Sequence, residues 1–218
     1  MKKITAVIII LLSIGINKGF AQLSSDGSYL WNTTSITYTL NDKTEFSVGN
    51  KVHYSNQIDR LDYFHFELIG YRKLTNKFSL GLGLRQTESY KSNDWNPGQT
   101  YLVYGVLFFN PLDMKIKFSN RFTAKVSKTI ETQYGLDNIS NIDFFVRSTC
   151  KFPKPYLADE LFSNLNSGQV QTIRVYGGFH VFKKEHFGID LYYCNWQTRS
   201  TADWKVYNVL GISTKVRI

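Results

Sequence analysis

Three residues near the start of the chain have side chains that could together perform nucleophilic chemistry. The stretch His53-Tyr54-Ser55-Asn56 places an imidazole close to a hydroxyl, and Glu67 lies further along. Such an imidazole can take the hydroxyl proton, and a carboxylate can orient the imidazole. The alternative is that His53 is an ordinary residue near a strand end, because it continues a polar phase that starts at Glu45.

The other histidines do not suggest a metal site. His65, His180 and His186 fall on separate segments and lack the spacing of metal ligands. The sequence also contains no phosphate-binding loop, paired-carboxylate motif or zinc signature. We therefore expect no cofactor, no metal and no catalytic residue, with the His53 group as the alternative.

Basic residues are the second set that could do chemistry, because a lumen lined by one sign of charge selects solutes of the other sign. The proposed basic lining consists of Arg85, Lys115, Lys117, Arg121, Lys125, Arg147, Arg174, Lys205, Lys215 and Arg217, with Lys51 and Lys151 in the same phase. The acids expected on that face are Glu45, Glu67, Asp143 and Asp190. Two interpretations follow: a plug of paired side chains, which is slightly favoured, or a narrow pore that passes small anions better than cations.

The elements that must position these residues are β-strands, because apolar and polar residues alternate with period 2 from Tyr29 onward. Residues 114–128 show this most clearly, with lysine, arginine, serine and threonine at odd positions, apart from Lys128 at the end. The strands are predicted at 29–40, 44–54, 61–73, 78–90, 99–109, 114–128, 141–152, 156–164, 170–182, 187–197 and 204–218. Single-chain bacterial barrels have even strand numbers. Ten or twelve strands are therefore expected, and twelve is preferred, with residues 22–28 as the additional strand.

The connections predict a membrane barrel. Tight turns at 41–43, 74–77, 110–113, 153–155 and 183–186 alternate with longer polar segments at 55–60, 91–98, 129–140, 165–169 and 198–203. Outer-membrane barrels have short periplasmic turns and longer extracellular loops. The four prolines, at positions 97, 111, 153 and 155, are all expected in connections. The fold class is thus all-β, a closed antiparallel up-and-down transmembrane barrel of 10–12 strands.

A soluble periplasmic barrel of the lipocalin kind remains the alternative, since alternation does not show which face points inward. Three observations favour the membrane barrel. The strands are long, the turns sort by length, and glycines such as Gly81, Gly83 and Gly211 occupy the polar phase, where a narrow lumen needs space.

The first 21 residues predict export. Lys2 and Lys3 precede an apolar run over residues 4–16, and small residues end the segment before Gln22. This is the pattern of a cleaved signal peptide, which leaves residues 22–218 as a single barrel domain. Removal of the leader leaves 23 basic against 17 acidic residues. Nucleic acid is not expected as a partner of an exported chain, whereas outer-membrane lipids are.

The two cysteines are expected to be free thiols. Cys150 continues an apolar phase, and Cys194 continues a polar one. A disulfide needs Cβ atoms that approach and point toward each other.

Several stretches together resemble an uncharacterised family of outer-membrane β-barrel proteins, domain of unknown function 2490. They are Asp26-Gly27-Ser28-Tyr29-Leu30-Trp31, Lys73-Leu74-Thr75-Asn76-Lys77-Phe78-Ser79-Leu80, Leu157-Ala158-Asp159-Glu160-Leu161-Phe162 and Val206-Tyr207-Asn208-Val209-Leu210-Gly211. The resemblance covers most of the chain beyond the leader. It implies an outer-membrane location and no established catalytic residues.

The His53 stretch is also similar to the His-x-Ser motif and downstream Glu of outer-membrane lipid A deacylases. In that family the motif lies near the C-terminus and faces lipid. Here it lies near the start of the chain and in the polar phase. A lipid-modifying enzyme is therefore an alternative function to a non-enzymatic barrel.

Overall fold

A computed structural model describes residues 27–55, 60–91, 94–109, 114–126, 132–144, 153–200 and 203–218, without the side chains of residues 91, 114 and 115. The strands are β1 (Gly27–Asn41), β2 (Thr44–Tyr54), β3 (Leu61–Lys73), β4 (Phe78–Lys91), β5 (Asp94–Phe109), β6 (Met114–Val126), β7 (Gln133–Phe144), β8 (Lys154–Asn164), β9 (Gln169–Lys183), β10 (Phe187–Ser200) and β11 (Asp203–Arg217). Within these ranges no helix is long and apolar enough to cross a membrane. The leader at 1–21, Arg147, Cys150 and Lys151 lie outside the described residues.

The eleven strands form one closed barrel in which each strand pairs with its neighbours in the chain. The all-β, closed up-and-down barrel expected from the sequence is therefore confirmed, but the expectation of an even strand number is wrong. An odd number of alternating strands leaves the first and last pointing the same way. The barrel closes through a parallel pairing of β1 with β11, from Gly27 opposite Tyr207 to Thr37 opposite Arg217. Gly27 and Ser28, expected in an additional strand, lie in β1 itself.

The alternation places charge inside and apolar side chains outside. In β6, Ser119 and Thr123 are buried on the inner face, whereas Phe118 and Phe122 on the outer face are exposed. Each strand carries at least one such exposed apolar side chain: Ile36, Phe46, Phe66, Leu82, Val103, Phe122, Leu136, Leu161, Phe179, Leu191 and Leu210. Every strand of the barrel thus contributes apolar side chains to the outer surface.

Inward glycines make room for large rings in the narrow interior. Tyr71 pairs with Gly81 and Tyr156 pairs with Gly178 across adjacent strands. A Cβ at Gly81 would lie 2.7 Å from the Tyr71 ring, and one at Gly178 would lie 2.6 Å from the Tyr156 ring. Each tyrosine therefore covers the glycine opposite it, an arrangement that shields the glycine backbone and fills the space that its missing side chain leaves.

Strand β7 differs from the sequence prediction, since it spans residues 133–144 and not 141–152. Its register with β6 runs from Lys125 opposite Gln133 to Met114 opposite Phe144. The period-2 signal is weak here because both faces carry polar residues: Asp137 is buried inside, and Asn138 donates to Asn120 Oδ1 (2.8 Å) on the exposed surface. The predicted long loop at 129–140 is therefore largely strand.

The strands extend into two of the segments expected to be long loops. Strand β4 reaches Lys91 and β5 begins at Asp94, while β10 reaches Ser200 and β11 begins at Asp203. Pro97 and Pro155 lie inside strands, paired with Glu88 and Phe179. Both prolines are close to a strand end, where a missing N–H interrupts little of the ladder.

The parallel closure predicts one specific cross-link. Thr34 and Thr214 are partners in the β1–β11 register. With Cys150 and Cys194 replaced by alanine, T34C/T214C should oxidise to a disulfide, because directly paired residues bring their Cα atoms into disulfide range. Non-reducing electrophoresis of the boiled protein should show a faster band. The control T34C/L210C places the second cysteine opposite Leu30, four residues away, and should stay reduced. Equal oxidation of both pairs would contradict the register.

Candidate functional site

The interior contains a continuous chain of polar side chains, one from each of seven consecutive strands. We call it the ionic belt: Glu67 (β3), Arg85 (β4), Tyr104 (β5), Arg121 (β6), Asp137 (β7), Glu160 (β8) and Arg174 (β9). Each of these side chains lies on the inward-facing phase of its strand. The stagger between neighbouring strands places them at a similar height along the barrel axis.

The first part of the belt joins β3 to β6. Arg85 Nε donates to Glu67 Oε2 at 2.7 Å, and the Tyr104 hydroxyl lies 3.4 Å from the same oxygen. Arg121 Nη1 in turn lies 3.4 Å from the Tyr104 hydroxyl. A neutral phenol therefore links two charged groups whose strands are not adjacent.

The second part joins β6 to β9. Arg121 Nε donates to Asp137 Oδ2 at 2.5 Å and Arg121 Nη2 lies 3.2 Å from Glu160 Oε1. Arg174 Nη1 donates to Glu160 Oε2 at 2.7 Å. Asp137 is only 2% exposed. A charge buried to that extent is tolerated only when it is paired and hydrogen-bonded, because removal from water costs several kcal/mol per ion.

The remaining sector of the interior is aromatic. We call it the aromatic chamber: Trp31 (β1), Lys51 and His53 (β2), Arg174 (β9, shared with the belt) and Trp196 (β10). The Trp31 and His53 rings are stacked with centroids 4.3 Å apart, and Trp196 lies 5.5 Å from Trp31. The Lys51 ammonium sits 3.8 Å from the Trp31 ring centroid, and the Arg174 guanidinium sits 5.2 Å from it.

The chamber completes the circle that the belt begins. Buried Cys194 and Val209 pack with Trp31, so β10 and β11 join this layer. On the other side, the His53 ring lies 4.6 Å from the Tyr63 ring of β3. Each of the eleven strands therefore contributes to a layer of contacts around the interior.

A second polar group lies nearer the rim that carries the C-terminus. His180 Nδ1 is 2.6 Å from Asp190 Oδ1, and its Nε2 is 3.4 Å from Asp143. Lys215 Nζ is 2.7 Å from Asp190, and the Tyr156 ring stacks on the imidazole at 4.9 Å. Among the described residues no group of three His, Cys, Asp or Glu could hold a metal ion.

The basic residues predicted to line the lumen fall into three groups. Arg85, Arg121 and Arg174 belong to the belt, while Lys215 and Arg217 pair with Asp190 and Glu45 toward the C-terminal rim. Lys117, Lys125 and Lys205 have exposed side chains, and Lys117 Nζ lies 5.9 Å from the Phe108 ring centroid. The side chain of Lys115, and all of Arg147, are outside the described part.

Two interior acids escaped the sequence analysis, Asp137 and Glu160. The sequence predicts Asp137 in a long loop, whereas it lies in β7. Glu160 follows Asp159, and the sequence does not show which of the two points inward. In the structure Glu160 is buried and Asp159 is exposed. With these acids present, each belt arginine has a carboxylate partner. The large basic surplus expected inside is correspondingly reduced.

The three residues with potential for nucleophilic chemistry are not brought together. His53 is buried between Trp31 and Tyr63, and the backbone N–H of Ser55 beyond the end of β2 bonds Arg60 O. Glu67 lies opposite Gly49, four residues along β2 from His53, or roughly 13 Å at the usual rise per strand residue. Its carboxylate binds Arg85, so it does not orient the imidazole.

Cys194 is a buried free thiol on the inner face. Cys150 lies outside the described residues, so its assignment as a free thiol stays a prediction.

One protein family has a model that matches this chain, over residues 29–207, and its description is Protein of unknown function (DUF2490). No curated protein matches the chain.

The belt predicts a large difference between two arginine substitutions. R121M removes the partner of Asp137 and one partner of Glu160, and should lower the free energy of unfolding by about 3–5 kcal/mol, the usual cost of an orphaned buried charge. R217M breaks an ion pair with Glu45 in which the arginine is 58% exposed, and should cost at most about 1 kcal/mol. Urea titration of the folded protein in lipid vesicles, followed by tryptophan fluorescence, measures both. Similar losses for the two variants would contradict a dominant role for the belt.

Proposed function

Because the chain belongs to the protein family of unknown function DUF2490, we propose its function from the barrel itself. We propose a non-enzymatic outer-membrane barrel whose lumen is closed to free diffusion by the ionic belt and the aromatic chamber.

The apolar outer surface is the observation that carries the membrane location. Exposed leucine, phenylalanine, valine and isoleucine side chains occur on all eleven strands, and Leu82 and Leu210 are 68% and 64% exposed. Water-soluble monomers rarely show continuous apolar surfaces of this extent. A lipocalin-like barrel would bury this face and expose the belt residues, which is the reverse of the arrangement here. Strands of 11–16 residues also suit a tilted membrane crossing.

One part of the outer face is polar. Asn120 and Asn138 bond each other there, and Asp159 projects from the middle of β8 beside Ser140 of β7. Outward acids are less costly in a membrane barrel than outward lysine or arginine, and the asparagine pair partly satisfies its own hydrogen bonds. This stripe lies on β6 to β8. Exposed polar pairs also occur elsewhere, where Thr34 donates to Asn32 on β1 and Tyr193 of β10 donates to Asn208 of β11.

Closure of the lumen rests on the contacts around the interior layer. The belt side chains bridge β3 to β9 through paired charges, and the chamber rings extend from β9 across β10 and β1 to β2. A wide anion pore would need unpaired basic residues along its wall, whereas the belt arginines are bound to carboxylates. The separation of His53 from Glu67 supports a barrel without lipid A deacylase chemistry.

The membrane location predicts a strong position dependence for arginine on the outer face. L84R places a charge near the middle of β4 and should lower the unfolding free energy in vesicles by about 2–4 kcal/mol. The control L74R places the same charge in the turn after β3, at a leucine that is 53% exposed, and should cost at most about 1 kcal/mol. If both variants are recovered in the soluble fraction with unchanged stability, the membrane proposal is wrong.

The closed lumen predicts no discrete conductance steps from the wild type in planar bilayers. Replacing Arg121, Asp137, Glu160 and Arg174 together by serine removes two charges of each sign and should produce steps. The control E45S/R217S removes one exposed pair near the rim and should stay silent. Steady conductance by the wild type would show that the lumen is open, and it would favour the anion-preferring pore as the function.

A further inference from the structure

The aromatic chamber concentrates buried polar atoms that lack a hydrogen-bond partner. They are Trp31 Nε1, His53 Nε2, Arg174 Nε and Trp196 Nε1. Buried polar atoms are nearly always paired, and an unpaired one costs about 1–3 kcal/mol. Trp31 is fully buried and His53 is 7% exposed. Four such atoms in one sector of the interior, without a partner among the described residues, point to a bound molecule.

These groups are close enough to contact one small molecule. The His53 and Trp196 ring centroids are 6.4 Å apart. The Trp31 ring centroid lies 4.3 Å from that of His53 and 5.5 Å from that of Trp196. The Arg174 guanidinium carbon lies 5.2 Å from the Trp31 ring and 5.6 Å from the Trp196 ring. Indole and guanidinium nitrogens only donate hydrogen bonds, so at least three of the four atoms require an acceptor.

The charge in and around the aromatic chamber also favours a partner that accepts hydrogen bonds and carries negative charge. Taken together, the ionic belt and Lys51 hold four bases, Lys51, Arg85, Arg121 and Arg174, against three acids, Glu67, Asp137 and Glu160. Each arginine has a carboxylate partner, but within the described ranges no carboxylate lies at ion-pair distance from Lys51. Its ammonium instead sits over the Trp31 ring. The excess positive charge therefore coincides with the unpaired donors.

We propose that the aromatic chamber binds the oxyanion head group, carboxylate or phosphate, of a small organic anion. Lys51 supplies the compensating charge, and the indole N–H groups of Trp31 and Trp196 and Nε–H of Arg174 supply donors. Glu160 holds the other side of the Arg174 guanidinium at 2.7 Å and so fixes its orientation. Water could accept these hydrogen bonds, but it would leave the Lys51 charge uncompensated.

Aromatic rings next to the chamber indicate the chemical character of the rest of the ligand. Tyr29 and Tyr207 lie with their centroids 5.4 Å apart, and both contact Trp196, at 5.4 and 4.9 Å. Tyr29 is the third residue of β1, so this wall lies next to the rim where β1 begins. Rings of this kind favour a flat or apolar body. The ligand therefore enters from that rim with its head group toward Lys51. This inference concerns the chamber alone and does not require the barrel to be closed or to lie in a membrane.

The test uses the full chain refolded in zwitterionic detergent micelles, with the exposed Trp95 and Trp204 replaced by phenylalanine. The remaining tryptophans, Trp31 and Trp196, then report on the chamber. Phenyl phosphate is the probe, and benzylamine is a cationic compound of similar shape. We expect a saturable fluorescence change with phenyl phosphate and none with benzylamine.

Matched lysine variants locate the site. K51M should weaken phenyl phosphate binding at least tenfold, and K51R, which keeps the charge, should retain most of it. K117M removes an equal charge on β6, outside the chamber, and should bind like the parent protein. A heat-dependent shift in gel mobility confirms that each variant is folded.

The outcomes separate the possibilities. No saturable binding by the folded parent, equal binding of benzylamine, or equal losses in K51M and K117M would each overturn the proposal. Equal binding of inorganic phosphate would support the oxyanion site and show that the head group supplies the affinity. Binding of dihexanoyl phosphatidylglycerol in preference to phenyl phosphate would support the site and assign its ligand to a lipid head group. The result is independent of conductance and membrane stability, so it can fail while the proposed function stands.

Discussion

Inside the barrel, Arg121 lies between two carboxylates, Asp137 and Glu160, and the arrangement of the remaining interior follows from that contact. The charged groups of the belt are largely withdrawn from water, so each of them needs a partner on the inner face. Arg121 pairs with Asp137 through Oδ2 and shares Glu160 with Arg174. This sharing extends pairing from one strand to the next and connects strands that are far apart in the chain.

The same requirement distinguishes the two halves of the interior layer. On β3 to β9 three carboxylates and three arginines neutralise each other. On β10, β1 and β2 the layer contains indole rings, with Lys51 as the charged group over them. Charge is thus balanced where side chains of both signs are present, and unbalanced where aromatic rings replace the acids. The chamber is chemically distinct for that reason, although it belongs to the same ring of contacts.

Closure of the barrel depends on a different constraint, the parity of its strands. Eleven strands in up-and-down order force β1 and β11 to run parallel, and they place Gly27 and Ile218 at opposite rims. Trp31 lies in this seam, opposite Gly211 of β11, whose missing side chain makes room for the Tyr192 ring. The chamber is therefore built at the position where the first and last strands meet, and it assembles only when the barrel closes.

The sequence by itself determined which residues form strands and which face of most strands is apolar, because period-2 alternation is a local property. It failed for β7, where Asp137 and Asn138 make both faces polar. Its alternation marks eleven strands, the number that the barrel has, whereas the preference for an even number came from other barrels and not from these residues. It identified Arg85, Arg121 and Arg174 as inward residues, yet it missed Asp137 and Glu160. Only the tertiary structure decided which acids pair with those arginines, that Glu67 belongs to Arg85 and not to His53, and that Trp31, His53 and Trp196 meet. The physical reason is that local alternation sets the face of a residue, whereas its partners depend on the stagger between strands and on closure, which join residues distant in the chain.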